Sequence, residues 1–513
     1  MTKPFLAILL CCGLASAQAP KLDGTWLPDQ AMMGKNSNLG MIWHSKLTIE
    51  GTKFNLTKPL DIELPFAGEL KFDPKKANEL DIAVVAHDLK GIPWNMKLAA
   101  TTFPAIWELK GDTLSVAFPR DATKPRPKSF DTSADECLVR FRKAPKDFKD
   151  YPKEFSVRVK DDTGPVADAL VGTFISDARN YERDDPKNPK PKSTEPKWEM
   201  GEHSKKLNDK GELKLAYSDD LARQSCLLGY SAKRQLMGLA DISPASIVLN
   251  PEVTIHLQPI CTVKVKTECA ELRGSTENGG YNAYVYTPSG ARFTYAGNKT
   301  GELVYLLPPG EYRCGVYGSL IGSVDLNFTV PKDQSTYEPP LIKVPPTNFL
   351  KLIKNKAPEL DGVLGWKGSP VKIADCKGKH VLLEFWGHWC GPCIGSMPVL
   401  FDLHDKFKDD LVVIGVHVDG EDDIDTAKKL DDKIKVSVEK AWKGRDLPFS
   451  SALISGKLTD DTENRSRGKA AEQYGVRGYP TTILIDREGK VVGHFGARDS
   501  KHAIEEFEKL LKK

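Results

Sequence analysis

Residues 384–398 read EFWGHWCGPCIGSMP and place two cysteines, Cys390 and Cys393, three positions apart. The text before them, HVLLEFWG, has the apolar run of a buried strand, and CGPCIGSMPVLFDLHDKF after it reads as a helix. Cys390 therefore falls at the first turn of that helix. Spacing i, i+3 turns both sulfurs to one helix face, near enough to bridge. The free N–H groups and the dipole at the helix start stabilise a thiolate there. Pro392 costs nothing in a first turn, where its missing N–H has no partner to lose. Gly391 lets a partner chain come close. Cys393, one turn deeper, is expected to be less exposed and to react second. Glu384 is expected to point inward beneath the pair, where burial raises its proton affinity and makes it a candidate general base. A solvent-facing Glu384 is the alternative, because Leu383 and Phe385 compete for the inward face. His388 is read as an exposed rim residue, with a part in holding the thiolate as the alternative. A zinc clip would need two further ligands at short spacing, and none is present, so no metal is expected.

Around this stretch the chain from 346 to 513 alternates between strands and helices, which predicts a layered α/β domain. LVVIGVHV and KVSVEK read as strands, RGKAAEQYGV as a helix, TTILIDREGKVVGHF as a hairpin and SKHAIEEFEKLLKK as a closing amphipathic helix.

WCGPC, with its surroundings, resembles the active-site sequence of the thioredoxin family. Glu384 stands at the buried-acid position, Pro398 at the helix-kink proline, Tyr479-Pro480-Thr481 at the cis-proline loop, and Gly496-Ala497 at the closing glycine segment. The run EQYGVRGYPTTILIDREGK is similar to the extracytoplasmic branch that includes the cytochrome-maturation reductants. The resemblance covers about 160 residues. It implies thiol–disulfide exchange, with Cys390, Cys393, Glu384 and Pro480 as the catalytic set. It also implies that Trp389, Gly391, Pro392 and Tyr479 form the client-facing surface, with no cofactor beyond the redox-active Cys390–Cys393 disulfide. Three departures stand out, and the unusual His388 is one of them. Between Cys393 and Pro480 lie 86 residues, which predicts an insert within about 420–470, with EKAWKGRDLPFSSALISGKLTDDTENRSRG as its body. Tyr479 is bulkier than the residue usual before the cis-proline.

The preceding 345 residues differ in kind. Short alternating strands with hairpin turns such as Lys110-Gly111-Asp112 predict an all-β barrel or sandwich over 21–145. Its LDGTW, WELKGDTL and RPKSF resemble a planctomycete lipocalin-like domain, which brings no catalytic residues; Trp26 is read as closing the barrel floor, with lining of a ligand cavity as the alternative. FSVRVKDDTGPVADALVGTFI, in a unit over 152–258, resembles carboxypeptidase regulatory-like β-sandwich domains. A second sandwich is expected over 260–343, where LPPGEYRCGVYG is similar to the same families. RDDPKNPKPKSTEPK reads as a long surface loop.

The N-terminal MTKPFLAILLCCGLASAQAPK has a lysine, a short apolar run and the small-x-small triplet Ala15-Ser16-Ala17, which predicts an export signal over 1–17. No other stretch approaches the apolar length of a membrane span, so no transmembrane segment is expected in the mature chain. The expected place is the periplasm or cell envelope, where disulfides persist. The eight cysteines beyond the signal are too few for a disulfide scaffold. A disulfide among Cys261, Cys269 and Cys314 and plain burial are equally open, and Cys376 is read as a packed small residue. Lys and Arg number 73 against 70 Asp and Glu, a net charge of +3 that gives no case for nucleic acid.

The leading expectation is an exported reductant of protein disulfides, served by a membrane or periplasmic electron donor. The alternatives are a binding or scaffold protein with a thioredoxin-fold adaptor, and a thiol peroxidase. The peroxidase reading is weakened because Gly387 stands where a Thr or Ser would precede the reactive cysteine.

Overall fold

A computed structural model describes residues 21–513 except 58–65, 74, 77, 86, 89–96, 99, 134, 178–197, 202–203, 219–220, 222–224, 274–278, 420–422, 458, 460–465, 498 and 513. The expected signal and the RDDPKNPKPKSTEPK loop lie outside the described residues.

The first unit is a closed barrel. Gly24–Met33 pairs antiparallel with Lys46–Glu50 on one side and with Glu136–Lys143 on the other, so the eight-strand meander closes and leaves no open edge. Gly51 and Gly111, with φ of +61° and +57°, supply the left-handed residue of two of its hairpin turns. Alternate side chains, among them Leu47, Ile49, Leu114 and Phe141, point inward around a cavity of about 240 Å3 with no polar lining atom among the described residues. Trp26 is buried and its indole donates to Leu22 O at 2.8 Å; it does not line the cavity.

Two β-sandwich layers follow. Glu154–Asp161 pairs with Glu212–Ala216 and Glu252–His256, facing the sheet of Cys226–Ser231 and Leu236–Asp241. Cys261–Glu268 and Glu302–Leu307 face a six-stranded sheet. Ile175–Asp177 and Trp198–Met200 extend that six-stranded sheet, so strands of the earlier sequence segment complete the later sandwich. Cys261, Cys269 and Cys314 are all free and buried there, as is Cys376 further on.

The last unit is a six-stranded sheet flanked by helices. Its elements are β1 (Val363–Lys367), β2 (His380–Trp386), α1 (Gly391–Lys406), β3 (Leu411–Val418), α2 (Ala427–Lys440), β4 (Ser451–Ile454), α3 (Lys469–Gln473), β5 (Thr481–Ile485), β6 (Val491–His494) and α4 (Ser500–Leu511). The strand order is β1-β4-β3-β2-β5-β6, with β2, β3 and β4 parallel and the other pairs antiparallel. Every residue of β2 is buried, as a central strand covered on both faces requires.

Two readings are corrected. KVSVEK is the end of α2 and not a strand: Thr426 caps that helix, and Leu430, Ile434 and Val438 repeat every four residues against the core. Val436, which made the local text alternate, is 60% exposed. The stretch 439–468 is also not one insert. It contains β4, an interior strand, and Trp442, which is buried against α1 and donates to Ile394 O at 2.9 Å.

The second sandwich and this unit share one apolar core through Phe349 and Tyr474. Arg477 donates to the carbonyls of Gly318 and Ile321 at 3.0 and 2.9 Å, which anchors the segment leading into Tyr479 and Pro480.

Candidate active site

The sulfurs of Cys390 and Cys393 are joined in a disulfide, with Cα atoms 5.2 Å apart. Cys390 is the N-cap of α1, and its Sγ accepts the Cys393 N–H at 3.2 Å. Cys390 retains 7% exposure while Cys393 retains none. An attacking partner therefore reaches Cys390 first. Gly391 and Pro392 are exposed beside it, and Pro398 lies inside α1.

Glu384 is fully buried on β2, on the strand face of Leu382 and Trp386, which share one core with Cys390 and Cys393. Its Oε2 accepts the Thr482 hydroxyl at 2.6 Å, and its Oε1 has no hydrogen-bond partner among the described residues. Burial raises its proton affinity and the Thr482 bond opposes this, leaving a pKa of about 7. Thr482 was not anticipated from the sequence. Its signal is the register, because β2 and β5 pair antiparallel and set Glu384 opposite Thr482.

The Tyr479–Pro480 peptide is cis. The Tyr479 ring meets the Trp389 ring edge-on at 5.6 Å, and burial pushes the Tyr479 phenol up to about 12. Trp389 is 44% exposed and donates from Nε1 to Val418 O at 3.2 Å. Pro480, Thr482, Gly496 and Ala497 line a cavity of about 420 Å3 beside Ser396 of α1. The predicted Cys390, Cys393, Glu384, Trp389, Tyr479 and Pro480 thus converge on one end of the sheet.

His388 departs from the rim position expected of it. It is half-buried, and its ring meets that of His417 on β3. Gly387 explains how Trp389 fits: a Cβ there would lie 2.6 Å from Cε2 of the indole. Gly387→Ala is expected to push the indole off Val418 and Tyr479, raising KM for a peptide disulfide about tenfold. Steady-state kinetics with tryptophan fluorescence would check this; an unchanged KM would show that the indole does not contact the client.

A buried dithiol at a helix start, a neutral-range carboxyl and a cis-proline loop make a site suited to thiol–disulfide exchange. The family model described as AhpC/TSA family matches residues 353–494. The thiol-disulfide oxidoreductase ResA of Bacillus thuringiensis subsp. konkukian is 32% identical over 145 residues, which cover 28% of this chain and 70% of that protein. The chain belongs to the ResA family of thiol-disulfide oxidoreductases. ResA of Bacillus subtilis is 30% identical over 146 residues, 28% of this chain and 68% of its own length. Among solved structures, a putative thiol:disulfide interchange protein DsbE from Chlorobium tepidum is 28% identical. It covers 31% of this chain and 96% of its own, with a TM-score of 0.23. The ResA likeness takes in less than a third of the chain. The long β-rich part therefore stands beside an oxidoreductase domain with a disulfide as its substrate. No helix of the described residues is long and apolar enough to cross a membrane.

Proposed function

We propose that the protein is an exported reductant of protein disulfides that works through Cys390 and Cys393. The Cys390 thiolate attacks one sulfur of the client disulfide, forming a Cys390–client disulfide and releasing the other client sulfur as a thiolate. Glu384 takes the proton of Cys393. The Cys393 thiolate then attacks Cys390 Sγ, closing the Cys390–Cys393 disulfide and freeing the second client sulfur. Two electrons pass from the dithiol to the client. A separate donor in the membrane or periplasm restores the dithiol. Trp389, Tyr479, Pro480, Gly391 and Pro392 form the surface that receives the client. The observation that carries this reading is the unequal burial of the two sulfurs above a buried carboxyl of pKa about 7. The leader-like N-terminus and the cytochrome-maturation resemblance support work outside the cytoplasm. Reduced protein mixed with a cystine-bridged peptide should lose one dithiol for each peptide disulfide opened. Consumption of peroxide with no peptide reduced would instead favour a peroxidase.

One observation favours an added binding role. The barrel cavity of about 240 Å3 is apolar over its described lining and larger than the ~150 Å3 cavity that takes up benzene. It suits a small apolar molecule of one or two rings. Fluorescence of 1-aminoanthracene should rise on binding, and Leu114→Trp, which fills the cavity, should abolish the rise. An equal rise in that variant would rule the cavity out as the binding site.

A further inference from the structure

The two residues before Cys390 are both tied to the end of β3. Trp389 donates its indole N–H to Val418 O, and the backbone N–H of His388 donates to Nε2 of His417 at 3.3 Å. The same Nε2 lies 3.1 Å from Nδ1 of His388, and the two rings are nearly coplanar at 23°. His417 itself has little freedom. It is fully buried, sits opposite Trp386 in the β2–β3 register, and takes the edge of the Trp386 ring at a centroid distance of 4.9 Å. Trp386 is held in turn by its N–H to Ser451 Oγ at 3.3 Å. With His388 protonated on Nδ1, the single lone pair of His417 Nε2 is shared as a three-centre acceptor by the ring and backbone N–H groups of His388. The segment so fixed continues into the turn in which Cys390 N donates to Gly387 O at 3.0 Å, and that turn delivers Cys390 to the helix start. Buried His417 and half-buried His388 are not needed by the exchange steps derived above, yet they meet two residues before the nucleophile in the chain.

We infer that His417 is a positioning residue of the dithiol, a fixed acceptor that holds residues 387–390 so that Cys390 Sγ stays over the N–H groups of α1. The inference rests on the reading of Cys390 and Cys393 as a working dithiol. Those N–H groups favour the thiolate and hence the reduced protein. Removing the acceptor frees the segment, weakens the thiolate and shifts the equilibrium toward the disulfide. No new reactant is involved, since the protein and glutathione exchange the same two electrons in every variant.

The test compares full-length native protein with His417→Ala and His417→Gln at equilibrium with reduced and oxidised glutathione. His417→Ala should lower the equilibrium constant for the reduced form about tenfold, which is about 30 mV toward more negative potential. His417→Gln, whose side-chain oxygen restores an acceptor, should return to within about threefold of native, and ultraviolet thiolate absorbance of Cys390 should follow the same order. No shift in either variant, or an equal loss in both, would overturn the inference. Should His417→Ala not fold, His388→Ala carries the test from a half-buried position: it removes the Nδ1 donor and should shift the constant at least threefold, and an unchanged constant would overturn the inference. Native protein that fails to exchange with glutathione at all would instead defeat the dithiol reading itself.

Discussion

Cys390→Ser is expected to abolish disulfide reduction, with kcat/KM at least about 1,000-fold below native. Serine puts a hydroxyl oxygen in place of the Sγ that accepts the Cys393 N–H, so the helix is not deprived of its cap. What is lost is the sulfur that meets the client, the more exposed of the pair. Cys393→Ser should behave differently. Its first attack remains, so a single client is captured at near-native rate, but turnover stops because no thiolate is left to break the mixed disulfide. Rapid mixing followed by acid quench separates the two phases. Turnover in Cys390→Ser comparable to native would place the nucleophile elsewhere.

Glu384→Gln should have the second largest effect, on both rate and stability. If Glu384 receives the Cys393 proton, the native resolving rate rises as pH passes about 7, while the glutamine variant is roughly 100-fold slower and lacks that inflection. The same group makes stability depend on pH. Its pKa is about 7 when folded against a usual 4.5, so between these values the folded chain holds a proton that the unfolded chain has lost. Native stability therefore falls as pH rises from about 4.5 to about 7 and levels off above it, by about 3 kcal/mol in all. Glutamine has no proton to lose, so denaturant unfolding of the variant should show that much less decline across the same window. A native protein whose resolving rate and stability both ignore pH in this range would remove Glu384 from the mechanism.

The active site was legible because its chemistry is local. Cys390, Cys393 and Pro392 sit within one helical turn, and Glu384 and Tyr479-Pro480 lie at fixed places in the resembling motif. The partners that come from across the sheet were not legible. Thr482 meets Glu384 through strand register, and His417 on β3 meets His388 beyond the end of β2, pairings that no short window of sequence contains. In the fold, the period-two text of KVSVEK suggested a strand because Val436 and Val438 alternate with polar residues; the wider spacing of Leu430, Ile434 and Val438 is what the core selects. β4 was hidden inside the supposed insert for a related reason: four residues flanked by turns are too few to show a period. The barrel could be read as β structure from its hairpins, yet its closure depends on Gly24–Met33 meeting Glu136–Lys143 from the far end of the unit.

The most direct test is capture. Cys393→Ser, reduced and mixed with a cystine-bridged peptide, should accumulate a mixed disulfide that mass spectrometry maps to Cys390. An adduct on any other cysteine, or none under conditions where the native dithiol reduces the peptide, would contradict the account.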